Sequence, residues 1–116
     1  MKAYDNYFLP VNDLSKAKEY YETTLGLSVK FDFSDKGMIA FCIGEEEPAI
    51  ILKDVNRFPD AKSAIWLVVE DVETEYKRLM EKGVTFLSTP YKIGTGNAVE
   101  FEDVFGNRFG IADYVR

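Results

Sequence analysis

The sequence has no histidine, and it has a single cysteine among its 116 residues. Histidine is the commonest general base and the commonest metal ligand at neutral pH, so its absence removes the most frequent route to metal or acid–base chemistry. One cysteine, Cys42, excludes an intramolecular disulfide and any paired-cysteine metal or redox motif. Because no histidine is present to activate it, we expect Cys42 to be a buried strand thiol rather than a nucleophile.

Long apolar runs and an excess of basic residues are also missing. No signal peptide or transmembrane segment is visible, which favours a cytoplasmic protein with no membrane partner. Lysine and arginine total 14 against 20 aspartates and glutamates, for a formal net charge of −6. An acidic chain repels phosphate backbones, so nucleic acid is not an expected partner. Cationic or neutral small molecules fit this charge better.

The composition that remains is that of a folded globular chain. Hydrophobic residues make up 47%, aromatic residues 15% and charged residues 29%. Such values exclude a disordered tail or a collagen-like fibre. The length allows one ordinary domain, or two very small modules that share a core.

The first half of the chain reads as strand, helix and three strands. Asn12 or Asp13 can cap the helix, apolar residues recur at helical spacing from Leu14 to Leu25, and Gly26 stands where a helix commonly ends. The predicted strands are Tyr4 to Val11, Leu27 to Phe33, Met38 to Ile43 and Ala49 to Lys53.

The second half repeats this order. Asp71 caps a predicted helix from Val72 to Lys82, and Gly83 ends it. The predicted strands are Ser63 to Glu70, Val84 to Ser88, Val99 to Glu102 and Arg108 to Tyr114, with Thr89 to Gly96 as a loop. The shared order and caps indicate a duplication: one α+β domain over residues 1–116, built from two tandem β-α-β-β-β modules (about 1–54 and 63–116) joined by a linker at about 55–62. Two curved half-sheets placed edge to edge would enclose a cleft.

Two segments resemble the vicinal oxygen chelate superfamily, the group of glyoxalase I, bleomycin-resistance proteins and extradiol dioxygenases. The segment from Val11 to Leu27 is similar to the family pattern V-x-D-L-x-x-A-x-x-Y-Y-x-x-x-L-G-L, and Phe101 to Ile111 (FEDVFGNRFGI) is similar to the pattern F-x-D-P-D-G-N-x-x-E-L. The resemblance covers essentially the whole chain. It implies a cupped, eight-stranded mixed sheet around a cleft, usually in a homodimer.

The resemblance also implies where metal-dependent members carry their ligands. Asn6, Ala64 and Gly110 are carried over from the family pattern, and the internal repeat relates Gly110 to Ile51, or to Lys53 one pleat further along that strand. The former metal positions are therefore Asn6, Ile51, Ala64 and Gly110. None of them offers the imidazole nitrogen or carboxylate oxygen that first-row metals prefer. The sequence therefore predicts no metal, no cofactor and no inherited glyoxalase or dioxygenase chemistry, and no residue is assigned a catalytic role.

Without metal ligands, the sequence resembles the metal-free branch of this superfamily, whose members sequester drugs such as bleomycin. Strand alternation places Asn6 and Phe8 on one predicted cleft face, and Trp66, Arg108 and Gly110 on the matching face of the second module. The small residues Ala64 and Gly110 are expected to leave space there for a ligand. Tyr91 is expected to line the mouth of the cleft.

Three classes of function stay open on the sequence. The first is a metal-free protein that binds a small organic ligand, cationic or aromatic, by stacking and cation–π contacts. The second is an enzyme with a non-standard active site, for which Tyr7, Tyr91 and Glu100 are the best acid or base candidates. The third is a structural or regulatory protein in which Phe8 and Trp66 close a shrunken cleft as core. We expect the first.

Overall fold

The computed structural model describes residues 1–114, and its elements follow the predicted α+β class. No helix in this part of the chain is long and apolar enough to cross a membrane. The elements are β1 Ala3–Val11, α1 Leu14–Glu19, β2 Val29–Phe33, β3 Met38–Cys42, β4 Ala49–Asp54, β5 Ala64–Val68, α2 Val72–Glu81, β6 Thr85–Phe86, β7 Tyr91–Ile93, β8 Gly96–Glu102 and β9 Arg108–Ala112.

The chain groups into two compact units. The N-terminal unit is Asn6–Ser63, and the C-terminal unit combines residues 1–5 with the chain from Ala64 onward. The start of the chain belongs to the C-terminal unit, where the Lys2 amide donates to the Val68 carbonyl at 2.8 Å.

Both units have the same strand topology. In the N-terminal unit the strand order is β2-β3-β4-β1, with β1 and β4 parallel and the other pairs antiparallel. In the C-terminal unit the order is β6-β8-β9-β5, with β5 and β9 parallel and the other pairs antiparallel. Each helix follows the first strand of its unit. The predicted repeat of the strand order is therefore confirmed, while the bounds of the two modules stay a prediction.

The predicted loop Thr89 to Gly96 is wrong at its centre, because it contains β7. Tyr91 and Ile93 pair with Ala98 and Gly96 of β8. These residue types favour strands, while Pro90 and Gly94 at either end keep the segment short. Residues 1–114 consequently hold nine strands rather than the eight that the family resemblance implies.

The first helix is also shorter than predicted. Asp13, rather than Asn12, caps it by accepting from the Lys16 amide at 3.0 Å. The α-helix ends at Glu19, and Tyr20–Thr24 form one wider π-helical turn, closed by the Leu25 amide on the Tyr20 carbonyl at 3.0 Å. Tyrosine and threonine have lower helix propensity than the residues before them, which favours the change at this point.

Each helix covers one face of the sheet of its own unit. Helix α1 packs over Ile39, Phe41 and Leu52, and α2 packs over residues that include Val99 and Ile111. Because side chains alternate along a strand, the next residues point to the opposite face, which we call the helix-free face of that unit. On the N-terminal unit this face carries Asn6, Phe8, Met38, Ala40, Ala49, Ile51 and Lys53; on the C-terminal unit it carries Ala64, Trp66, Glu100, Glu102, Arg108 and Gly110.

Candidate functional site

A row of three residues crosses the helix-free face of the C-terminal unit. Gly110 on β9 is paired with Trp66 on β5 on one side and with Glu100 on β8 on the other. A Cβ atom built on Gly110 would lie 2.2 Å from the Trp66 indole. The indole therefore lies directly over Gly110, between its own strand and Glu100. The expectation that Gly110 leaves space for a ligand is wrong, since the Trp66 ring fills that space.

Arg108 joins two carboxylates on the same face. Its guanidinium Nη2 donates to Glu102 Oε2 at 3.1 Å, and its Nη1 lies 3.8 Å from Glu100 Oε2. The Arg108 side chain is only 12% exposed, and those of Glu100 and Glu102 are about one quarter exposed. Arg108 therefore pairs across strands with both glutamates. A direct contact of Arg108 with a ligand stays a prediction.

Tyr91 reaches this face through β7. It pairs with Ala98 and is 40% exposed. Burial raises the pKa of the Tyr91 phenol to about 12, and the charge of Glu100 and a hydrogen bond to it contribute further. The phenol is therefore protonated at neutral pH and available as a donor to Glu100. We call Trp66, Tyr91, Glu100, Glu102 and Arg108 the C-terminal site.

Phe8 and Asn6 lie on the helix-free face of the N-terminal unit, as alternation predicts. Phe8 is paired with Ile51, and its ring packs on an apolar cluster of Ala40, Ala49 and Ile51. The Asn6 side-chain oxygen accepts from the Ala49 amide at 3.3 Å, which ties β1 to β4. The pairs Phe8–Ile51 and Trp66–Gly110 occupy equivalent registers, so the internal alignment that relates Ile51 to Gly110 holds.

The residues at the former metal positions do not fit the metal that the fold family implies. Ile51 is buried in an apolar cluster, and Ala64 has no donor atom. The Asn6 oxygen is occupied by a backbone amide, and the Trp66 indole covers Gly110. Within residues 1–114, no group of three or more histidine, cysteine, aspartate or glutamate side chains could hold a metal ion.

Two side-chain contacts, one on the helix-free face of each unit, were not predicted from the sequence. Lys53 follows Ile51 by one pleat on β4, so alternation alone places it on the helix-free face. Its ammonium lies over the ring of Phe8 at 5.1 Å and over the ring of Phe58 at 4.6 Å. Phe58 falls in the segment predicted as a linker, where no periodic pattern indicates a contact. The pairing of Tyr91 with Glu100 was equally hidden, because it depends on β7.

The chain belongs to the glyoxalase/bleomycin resistance protein/dioxygenase superfamily. The family model matches residues 3–111. The chain is 31% identical over 111 residues to the uncharacterized protein YurT of Bacillus subtilis, covering 84% of this chain and 87% of that protein.

Solved structures share the fold at low sequence identity. A hypothetical protein, BH1468 of Bacillus halodurans, superposes with a TM-score of 0.77 at 16% identity, covering 97% of this chain and 94% of that chain. Methylmalonyl-CoA epimerase of Mycobacterium tuberculosis superposes with a TM-score of 0.72 at 16% identity, covering 98% and 89%. At this level of identity these likenesses establish the fold, and fold alone does not assign chemistry.

Proposed function

We propose that this chain is a metal-independent, cytoplasmic binding protein for a small organic ligand that is cationic or aromatic, and that its role is to sequester a drug-like molecule. One observation carries the proposal. The Trp66 indole and the Glu100 carboxylate lie in one row of the C-terminal site, with Tyr91 beside Glu100. The face of an aromatic ring attracts a cation, and a nearby carboxylate adds an opposite charge, so the pair suits a flat cation.

The electrostatics of the C-terminal site support this ligand class. Glu102 accepts the hydrogen bond from Arg108 at 3.1 Å, whereas Glu100 lies 3.8 Å from the guanidinium, beyond ordinary hydrogen-bond distance. A carboxylate has about four acceptor sites, so Glu100 can accept from the Tyr91 phenol and still contact a cation. The net charge of −6 adds long-range attraction for such a ligand.

Trp66 is the only tryptophan in the sequence, so its fluorescence reports on this site directly. We would titrate the purified protein with benzyltrimethylammonium in buffer containing EDTA, and compare the wild type with Glu100→Gln. The proposal predicts saturable binding without metal. It also predicts that Glu100→Gln raises the dissociation constant about tenfold, the loss expected for one charge-assisted contact. Glu73→Gln, on the exposed surface of α2, is the matched control and should bind as the wild type does.

Either of two results would contradict the proposal. If binding required added metal, the chain would instead be interpreted as a metal-dependent enzyme like other members of the family. Equal affinities of the wild type and Glu100→Gln would show that the cation does not bind beside Glu100 in the C-terminal site.

An enzyme with a non-standard site is a second candidate, and the Tyr91–Glu100 pair favours it. The Tyr91 phenol is protonated at neutral pH and lies within reach of the Glu100 carboxylate, so the two groups supply one proton donor and one proton acceptor. This candidate would be supported by a ligand that the wild type converts chemically and Tyr91→Phe does not, although both proteins bind it with equal affinity.

The homodimer that the resemblance implies belongs to the first proposal, and light scattering tests it.

A further inference from the structure

The turn between β8 and β9 carries two apolar side chains at its tip. Val104 is 91% exposed and Phe105 is 86% exposed, whereas no other large hydrophobic residue within residues 1–114 is more than 56% exposed. Turns are dominated by glycine, proline and short polar residues, so a valine followed by a phenylalanine is unusual there. Apolar surface that protrudes in this way is a candidate for contact with another molecule.

Hydrogen bonds fix the backbone of this tip. Asp103 Oδ1 accepts from the Phe105 amide at 2.8 Å and from the Asn107 amide at 2.9 Å, and Oδ2 accepts from the Asn107 side-chain amide at 2.9 Å. Gly106 follows in the left-handed region, with φ of 84°, which a glycine adopts without strain. The backbone that carries Phe105 is therefore ordered before a partner arrives, which lowers the entropic cost of binding.

A groove of about 290 Å³ opens beside the tip, within the same unit. One wall is residues 82–85, between the end of α2 and β6, and the other is residues 101–104, at the end of β8 and the start of the turn. Val84 and Phe101 supply apolar side chains to the two walls, and Val104 of the tip itself borders the groove. The groove has room for a phenyl ring.

The two walls of the groove carry opposite charges. Lys82 belongs to one wall and Asp103 to the other. Hydrogen bonds from Asn107 lower the pKa of the Asp103 carboxyl, so this group is ionised at neutral pH. In a pair of copies related by a two-fold axis, Lys82 of each copy would approach Asp103 of the other. The phosphate headgroups of a membrane would instead be repelled by Asp103.

We propose that this chain self-associates through the tip of the β8–β9 turn, with Phe105 of each copy entering the groove of the other. A patch that carries a protruding ring, a groove and both signs of charge is self-complementary, as a two-fold interface requires. The inference rests on the homodimer of the proposed function, for which it names the surface. Ligand binding beside Glu100 does not depend on it.

Substitution of Phe105 tests the protruding ring. Sedimentation velocity over a concentration series should show reversible association of the full wild-type chain, with a dissociation constant below about 1 mM. Phe105→Ser should raise that constant at least about tenfold, the effect of removing a central aromatic anchor. Leu25→Ser is the matched control, because it also removes an exposed apolar side chain, in the N-terminal unit. It should associate as the wild type does.

A second variant tests the groove and shows whether the exchange is reciprocal. Thr85 is exposed and borders the groove, and tyrosine is well tolerated in strands, so Thr85→Tyr should fill the groove without unfolding β6. Thr85→Tyr alone and Phe105→Ser alone should both associate weakly. An equimolar mixture should associate more tightly than either variant, because Phe105 of the first can enter the open groove of the second.

Two outcomes overturn the inference and leave the homodimer intact: a wild-type dimer that Phe105→Ser does not weaken, and a mixture that associates no better than its components. A monomeric wild type overturns the inference and the homodimer together. Flotation with phosphatidylcholine vesicles separates the remaining occupant, since a monomer that binds vesicles through Phe105 would assign the tip to a membrane. Binding of benzyltrimethylammonium by Phe105→Ser should equal that of the wild type in every case.

Discussion

At Gly110 the absence of a side chain decides where an aromatic ring lies. The Trp66 indole rests on the backbone of β9, and the nearest ring carbon would be 2.2 Å from an added Cβ atom. No real Cβ contact is that short, so any larger residue must displace the indole. The ring position in turn sets the aromatic side of the C-terminal site.

We therefore expect Gly110→Ala to destabilise the protein by about 2 kcal/mol, the range for overpacking a well-filled site. Urea denaturation followed by Trp66 fluorescence measures this cost, and the emission of the native state should shift as the ring moves. Gly94→Ala is the control, because nothing lies within 4 Å of its added Cβ and its backbone is not left-handed. Equal stability of Gly110→Ala and Gly94→Ala would contradict the placement of the indole.

The sequence could locate Gly110 but could not show what fills the space beside it. Alternation correctly put Trp66, Gly110 and Arg108 on one face, because a strand reverses its side chains at every residue. The direction of a long side chain across neighbouring strands depends on its rotamer and on the packing around it, and neither produces a periodic pattern in the sequence. The same reason hid the contact of Lys53 with Phe58.

At the scale of elements, Asp113 links three parts of the C-terminal unit. It follows β9 and is only 5% exposed. Its Oδ2 accepts from the Val72 amide at the start of α2 at 2.7 Å, and its Oδ1 accepts from the Asn97 amide of β8 at 2.8 Å. One buried carboxylate therefore satisfies backbone donors of a helix and a strand at once.

Asp113→Ala should reduce the free energy of unfolding by about 3 kcal/mol, since it leaves two amides without their acceptor. Asp71→Ala removes the exposed cap of the same helix, which accepts from the Thr74 amide at 2.9 Å. Its loss should be smaller, because water can replace an exposed acceptor. Chemical denaturation of the two variants compares them, and an equal or larger loss in Asp71→Ala would refute this role of Asp113.

Element boundaries show the limits of pattern reading in this chain. Caps and helix-ending glycines are local signals: Asp71, Gly26 and Gly83 were placed correctly, and Asp13 was one of the two candidates for the first cap. Strand β7 was missed, because a three-residue strand exists only through its pairing with β8. The π-helical turn after Glu19 was missed because apolar spacing does not distinguish it from an α-helix.

At the scale of the whole molecule, the same strand arrangement in both units fixes where the four former metal positions lie. Each unit places its first and last strands side by side in parallel, which sets Asn6 and Ile51 on one helix-free face and Ala64 and Gly110 on the other. The family fold survives at these positions, while the donor atoms do not. Packing depends on the apolar pattern, whereas metal binding depends on a few specific side chains.

The claim that this family fold works here without a metal is tested most directly by calorimetric titration of the untagged, full chain with Ni²⁺, Zn²⁺ and Mn²⁺. The account predicts no stoichiometric uptake of any of the three, because none of the four former metal positions presents a free imidazole or carboxylate. Uptake of one ion per chain would contradict it, and would mean that carboxylates elsewhere in the chain supply the ligands.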